Sequence, residues 1–129
     1  MNEKKKLLFI INDVSFFISH RLIIAKAAIK NNYKVYLFSG KANLKNLKIL
    51  KKNKINYKYI PISRSSKNFY MEIYLFLLIF FNILRLNPFI THLVTVKPIL
   101  YGGIVCKILN KRVVFAVTGL NYINYIFGV

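Results

Sequence analysis

The chain has 129 residues, 56% of them hydrophobic and 16% aromatic, which excludes a disordered protein and fits one domain with a real core. One cysteine excludes an internal disulfide, and 21 Lys and Arg against 3 acids give a net charge of +18. That charge points to anionic partners: lipid, phosphate-bearing ligands or nucleic acid.

The opening "MNEKKKLLFIIND" has the charge of a signal peptide but not its core, because Asn12 and Asp13 follow five apolar residues where roughly 7–15 are needed. Residues 6–11 therefore predict a buried strand. Residues 16–30 carry apolar side chains at helical spacing and stop at Asn31 and Asn32. A second strand is expected over 34–38, closed by Ser39 and Gly40. In 43–52, Leu44, Leu47 and Leu50 fall on one side and lysines on the other, the pattern of an amphipathic helix. Residues 55–60 predict a third strand ended by Pro61, followed by the loop "SRSSKN".

Residues 69–86 form a long apolar segment ending before Asn87 and Pro88. Glu72, Asn82 and Arg85 interrupt it and share a helical sector with Leu75, Ile79 and Leu86. It is expected to pack on the sheet rather than span a membrane, with an outer face apolar enough to touch lipid or a partner. Residues 89–96 predict a fourth strand. Residues 98–109 predict a helix with Pro98 in its first turn, where a missing N–H costs little. Residues 112–117 predict a fifth strand, and 119–129 carry no assignment.

The resulting order, β-α-β-α-β-α-β-α-β with strands apolar on both faces, is that of an α/β, Rossmann-like, doubly wound parallel sheet with right-handed crossovers. In such sheets ligands bind outside the carboxyl ends of the strands. The residues there are "NDVSFFISHR", Ser39 and Gly40, the serines of "SRSS", Thr95 and Lys97, and Thr118 and Gly119. All are small or polar, and helix N-termini pointing the same way favour anions and hydroxyl-rich ligands.

No G-x-G-x-x-G and no P-loop is present, which argues against a standard dinucleotide or P-loop nucleotide site. His20 and His92 have no Cys or acid at metal-ligand spacing. His92 inside a strand is expected to be a packed core histidine. His20 stands near the strand ends, where a functional role and a surface role weigh equally. Asp13 is expected to cap a helix, with a general-base role as the alternative. Gly102 and Gly103 are expected to let a helix lie close to the sheet, and Cys106 to be a core residue.

The blocks "NDVSFFISHRLIIAKAAIKNNYKVYLFSG", "IPISRSSKN" and "THLVTVKPILYGGIVCKILNKRVVFAVTGLNYI" resemble, in order and spacing, the acceptor-side N-terminal domain of bacterial GT-B glycosyltransferases of the family 4 type. The resemblance implies an incomplete half of a GT-B fold. The sugar would pass from a nucleotide sugar to a lipid-linked or cell-surface glycan of the lipopolysaccharide, capsule or O-antigen type. The enzyme would be a hexosyl- or N-acetylhexosaminyltransferase without metal or cofactor, at the inner face of the cytoplasmic membrane.

By the same resemblance, Asn12, His20, Lys97, Thr118 and Gly119 would line the acceptor side of the cleft. The family pattern ends closer to Ser-Gly-Leu-Gly-Tyr, where this chain has Thr118-Gly119-Leu120-Asn121-Tyr122. No glutamate follows Glu72, so the donor-binding glutamates of that family are not in these 129 residues. The expected partners are a lipid-linked acceptor, the cytoplasmic membrane surface and a separately encoded donor-binding domain; no nucleic-acid motif is present. A catalytically inert fragment and a basic membrane-surface binding protein are the alternatives.

Overall fold

The structure, a computed structural model, describes residues 4–62 and 68–116. Five parallel strands, β1 (Lys5–Ile11), β2 (Tyr33–Ser39), β3 (Asn56–Tyr59), β4 (Ile90–Val94) and β5 (Arg112–Ala116), lie in the order β3-β2-β1-β4-β5. Five helices connect them: α1 (Val14–His20), α2 (Leu22–Lys30), α3 (Leu44–Lys52), α4 (Phe69–Leu86) and α5 (Val96–Leu109). The expected doubly wound parallel sheet is the observed fold.

Strand alternation divides the core into two layers, because successive side chains leave a strand on opposite faces. Leu7, Phe9 and Ile11 of β1 join Val35 and Leu37 of β2, and Val14, Phe17, Ala25 and Leu50 close over them from α1, α2 and α3. Leu8 and Ile10 point the other way with Phe38 and Leu93, and Leu75, Ile79, Ile83, Val105 and Cys106 cover them from α4 and α5. Register is firm at the centre, where β1 pairs with β2 from Lys5↔Tyr33 to Ile11↔Ser39 and with β4 from Leu7↔Ile90 to Ile10↔Leu93.

Four expectations need correction. The helix expected over residues 16–30 is two helices that meet at Arg21, whose φ of −119° and ψ of −14° depart from the helical mean and which caps both. The chain also turns helical earlier, since Asp13 accepts a bond from the Ser15 amide at 3.0 Å and starts α1 at Val14. The leucine stripe of α3 is only partly used: Leu50 is buried, but Leu44 is 77% exposed, because α3 lies over the margin of the sheet. Finally, β3 is not apolar on both faces. As an edge strand it carries Asn56 and Lys58, which suits an edge that must not pair further.

The two glycines of α5 act as expected. A Cβ on Gly102 would stand 2.5 Å from Leu93 Cδ2, and one on Gly103 would stand 3.1 Å from Phe115 Cε1. Glycine lets α5 sit close against β4, where a Cβ would collide, and snugly against β5. Pro98, Gly102, Val105 and Cys106 form the buried face of that helix.

Candidate functional site

The connections leaving β1 and β2 run to one side of the sheet, toward β3. Those leaving β3 and β4 run to the other, so the crossovers diverge between β1 and β4. The carboxyl ends of these two strands thus flank the topological switch point, where open parallel sheets place their ligands. Asn12 follows β1 and Thr95 follows β4, and the Thr95 hydroxyl donates to Asn12 Oδ1 at 2.9 Å across that point.

The same asparagine fixes a third strand end. The Gly40 amide donates to the Asn12 carbonyl at 3.2 Å, and a Cβ on Gly40 would stand 2.7 Å from that oxygen. Only glycine permits this approach. Beneath it, the buried Ser39 hydroxyl donates to the Ile11 carbonyl at 2.6 Å, and Tyr57 donates to the Gly40 carbonyl at 2.5 Å. Burial raises the Tyr57 pKa, keeping the phenol protonated and able to donate. The ends of β1, β2 and β4 are thereby tied into one rigid rim.

Thr95 carries strain. Its φ of 71° with ψ of 167° lies in a region that β-branched residues rarely enter, and it stands immediately before the first turn of α5. Two residues on, Lys97 pairs with Glu72 at 2.7 Å, and Glu72 also accepts the Tyr101 hydroxyl. This acidic partner lies in the first turn of α4. The hydrogen bond to Glu72, then burial, then the carboxylate charge push the Tyr101 pKa up to about 12. The pair is half-sheltered, with side chains 18% and 21% exposed.

The sequence-predicted residues fare differently. Asn12 is part of the rim, and Lys97 stands beside it in an ion pair. His20 closes α1, exposed, its ring stacked on Phe16 at 4.2 Å and its Nδ1 3.4 Å from the Phe16 carbonyl. Among the described residues it makes no hydrogen bond to Asn12, Thr95 or Lys97. Thr118 and Gly119 lie outside the described residues. His92 packs against Phe9 with ring centroids 4.9 Å apart, and burial, with a smaller contribution from Arg21, lowers its pKa to about 4. Asp13 is engaged as a helix cap.

Sequence reasoning missed Glu72, Tyr101 and Tyr57 as neighbours of the site. Glu72 stands 25 residues from Lys97 and Tyr57 stands 17 from Gly40, so no local spacing joins them. Gly40, standing directly after a predicted strand, was the one legible signal.

Two hollows lie at the opposite edge of the sheet. One, of about 550 Å³, is lined by Lys4, Lys5, Lys6, Phe89, Lys111 and Arg112, and the other, of about 500 Å³, by Lys34, Lys51 and Lys54 among others. Two of these lysines have a structural duty. Helices end there, and their C-terminal carbonyls attract cations: Lys6 donates to the Leu86 carbonyl at 3.2 Å, and Lys111 donates to the side-chain oxygen of Asn87, the residue that ends α4. The switch-point rim therefore remains the better candidate site.

No protein-family model and no curated protein matches the sequence. Solved structures share the fold. A glycosyltransferase from Rickettsia africae superposes with a TM-score of 0.67 at 22% identity, over 88% of this chain and 30% of its own. MurG from Acinetobacter baumannii gives 0.68 at 15%, over 88% of this chain and 34% of its own. The C-terminal domain of the PF1911 hydrogenase from Pyrococcus furiosus gives 0.58 at 13%, over 90% of this chain and 95% of its own. The chain thus spans about a third of the first two proteins and nearly all of the third domain. At these identities the likeness establishes the Rossmann-like fold.

Proposed function

We propose that this chain is the acceptor-side domain of a GT-B glycosyltransferase of the family 4 type. It would receive a lipid-linked or cell-surface glycan while a donor-binding domain presents the nucleotide sugar. One observation carries the reading: the Asn12–Thr95 hydrogen bond, which bridges the switch point and presents a strained helix start to the cleft. Amides, hydroxyls and a helix N-terminus suit a hydroxyl-rich ligand bearing a diphosphate. The fold shared with the Rickettsia glycosyltransferase supports the same assignment.

In this reading the chain binds and orients, and does not itself transfer sugar. Asn12 and Thr95 offer hydrogen bonds to sugar hydroxyls. The Lys97–Glu72 pair holds the mouths of α4 and α5 together, and Lys97 faces a phosphate only when the pair opens. The intact pair favours a second reading, that of a catalytically inert fold, because it cancels the charge a diphosphate would seek.

Amide NMR of the full chain, titrated with a short-chain prenyl-diphosphate N-acetylglucosamine, tests the assignment. Shifts are expected at Asn12, Gly40, Thr95 and Lys97. Saturation confined to the lysines around Phe89, or no saturable shift at all, would overturn acceptor binding. Co-expression with a donor-binding domain then separates the two readings: sugar transfer that Asn12→Ala abolishes removes the inert one.

A further inference from the structure

The α4 side of the sheet is covered unevenly. α4 and α5 bury Leu8 and Ile10 of β1, Phe38 of β2 and Leu93 of β4. Toward β3 the cover thins. Tyr36 is half-buried, and its strand partner Asn56 and the Phe38 partner Lys58 are exposed on that same side. A hollow of about 320 Å³ is left between these strands and the end of α4. Tyr36 and Phe38 form its floor, and Lys6, Lys58, Asn82 and Arg85 its rim. It lies toward the amino ends of the strands, away from the Asn12–Thr95 rim.

Floor and rim have different chemistry. The floor is aromatic, and the exposed Lys34 hangs over the Tyr36 ring with Nζ 5.7 Å from the centroid, so that side of the ring is open to the surface. The rim is cationic. Lys6 answers the partial negative charge at the end of α4 through its bond to the Leu86 carbonyl, and Lys58 donates to the Asn82 side chain. Arg85, exposed in the last turn of α4, meets no acid among the described residues. Asp13 caps α1 at the other edge, and Glu72 stands about 15 Å up α4 from Asn82, bound to Lys97 and Tyr101.

A guanidinium fork grips a phosphate through two parallel bonds, and an open aromatic ring takes a second flat ring by stacking. Asn56 gives its amide proton to the Val35 carbonyl at 3.0 Å, which leaves its side-chain oxygen as an acceptor. Size narrows the occupant. The hollow stands at the lower end of the range of about 300–1,000 Å³ usual for small-molecule sites, room for one ring, one sugar and one phosphate.

We propose that this hollow binds a flat aromatic ring carrying one phosphate, of the nucleoside monophosphate class. The ring lies on Tyr36, the phosphate sits between Arg85 and Lys58, and Asn56 accepts from an amine or hydroxyl of the ligand. Hollow and switch-point rim occupy opposite edges of the sheet, so neither needs the other to be filled.

Calorimetric titration of the full chain with adenosine monophosphate tests it, against adenosine and inorganic phosphate. Saturable binding is expected, about tenfold tighter or more than either fragment alone, because ring and phosphate are held at once. Arg85→Gln should weaken it about tenfold, and Arg85→Lys less, since lysine keeps the charge and loses the fork. Tyr36→Leu should weaken it several-fold by removing the stacking surface. Lys48→Gln, the same loss of charge on the exposed side of α3, should leave it unchanged. Amide shifts are expected at Tyr36, Asn56, Lys58 and Arg85.

Adenosine or inorganic phosphate binding as tightly as the monophosphate would overturn the proposal. So would full binding by Arg85→Gln, whose exposed position should leave Tm unchanged. Equal losses with Lys48→Gln and Arg85→Gln would reduce the binding to a general effect of the +18 charge and overturn it as well. No saturable heat, or shifts gathered on the lysines around Phe89, would do the same. The acceptor titration reads Asn12, Gly40, Thr95 and Lys97 instead, so failure of one leaves the other standing.

Discussion

The two helical layers bury their inner faces in the same way and treat their outer faces oppositely. α3 turns Lys45, Lys48, Lys51 and Lys52 outward, as a helix exposed to water does. α4 turns tyrosines, leucines and phenylalanine outward, and its few polar groups point sideways: Glu72 to Lys97 and Tyr101, Asn82 to Lys58. The difference teaches that hydrophobic content alone does not mark the core of α4. What marks it is the narrow sector of Leu75, Ile79 and Ile83, flanked by the partly buried Phe76, Leu78, Phe80 and Leu86, while Tyr70, Ile73, Tyr74, Leu77, Phe81 and Leu84 are exposed.

The sharpest way to break this comparison is to cut both sides of α4. Ile79→Ala removes a fully buried side chain and should cost about 2–5 kcal/mol in denaturant melts, while Leu77→Ala should stay within about 0.5 kcal/mol. Similar costs would mean that the outer stripe is covered from within the chain. Next comes the contact of α5 with the sheet. Gly102→Ala should destabilise by about 1–3 kcal/mol, because its Cβ meets the buried Leu93. Gly103→Ala should be close to neutral, a small shift of Phe115 offsetting the gain of about 1 kcal/mol in helix propensity.

In the water-facing layer, Asp13→Ala should cost about 1 kcal/mol, the usual worth of an N-cap, measured in the same melts. A pH-dependent contribution belongs to Tyr101, beside the site. Its folded pKa of about 12 lies above the ordinary phenol value of 10, so the contribution of Tyr101 is fully present below pH 10 and is lost as pH rises toward 12. An absorbance titration should show a phenol ionising near pH 12, and Glu72→Gln should bring it back toward 10. A titration that Glu72→Gln leaves unchanged would dissolve the Glu72–Tyr101 link between α4 and α5.

Much of the fold was legible because parallel strands buried on both faces read as apolar runs and their crossovers as periodic ones. β1, β4 and the whole of α4 were placed to within two residues on that basis. The break at Arg21 was not legible: residues 16–30 keep a helical spacing throughout, and only the backbone at Arg21 interrupts it. Nor was the exposure of Leu44, since a leucine stripe states which side of a helix is apolar and not whether anything lies beneath it. Of the site, Asn12, Thr95 and Lys97 were found from strand ends. That Asn12 meets Thr95, 83 residues away, and Lys97 meets Glu72, 25 residues away, was not, because at such distances sequence spacing carries no information.

By itself, the sequence determined the class of fold, the small and polar residues at the carboxyl ends of the strands, the close packing at Gly102 and Gly103, and the excess of positive charge. These follow from local rules: periodicity, strand-end chemistry, the missing glycine Cβ and a count of lysines. The tertiary structure alone decided that Asn12 bonds to Thr95, that Glu72 holds Lys97, and that the apolar surplus of α4 joins that of α5 into one exposed face. Those are statements about which distant segments meet, and they follow from the strand order β3-β2-β1-β4-β5, which sets β1 beside β4 and stacks α4 against α5.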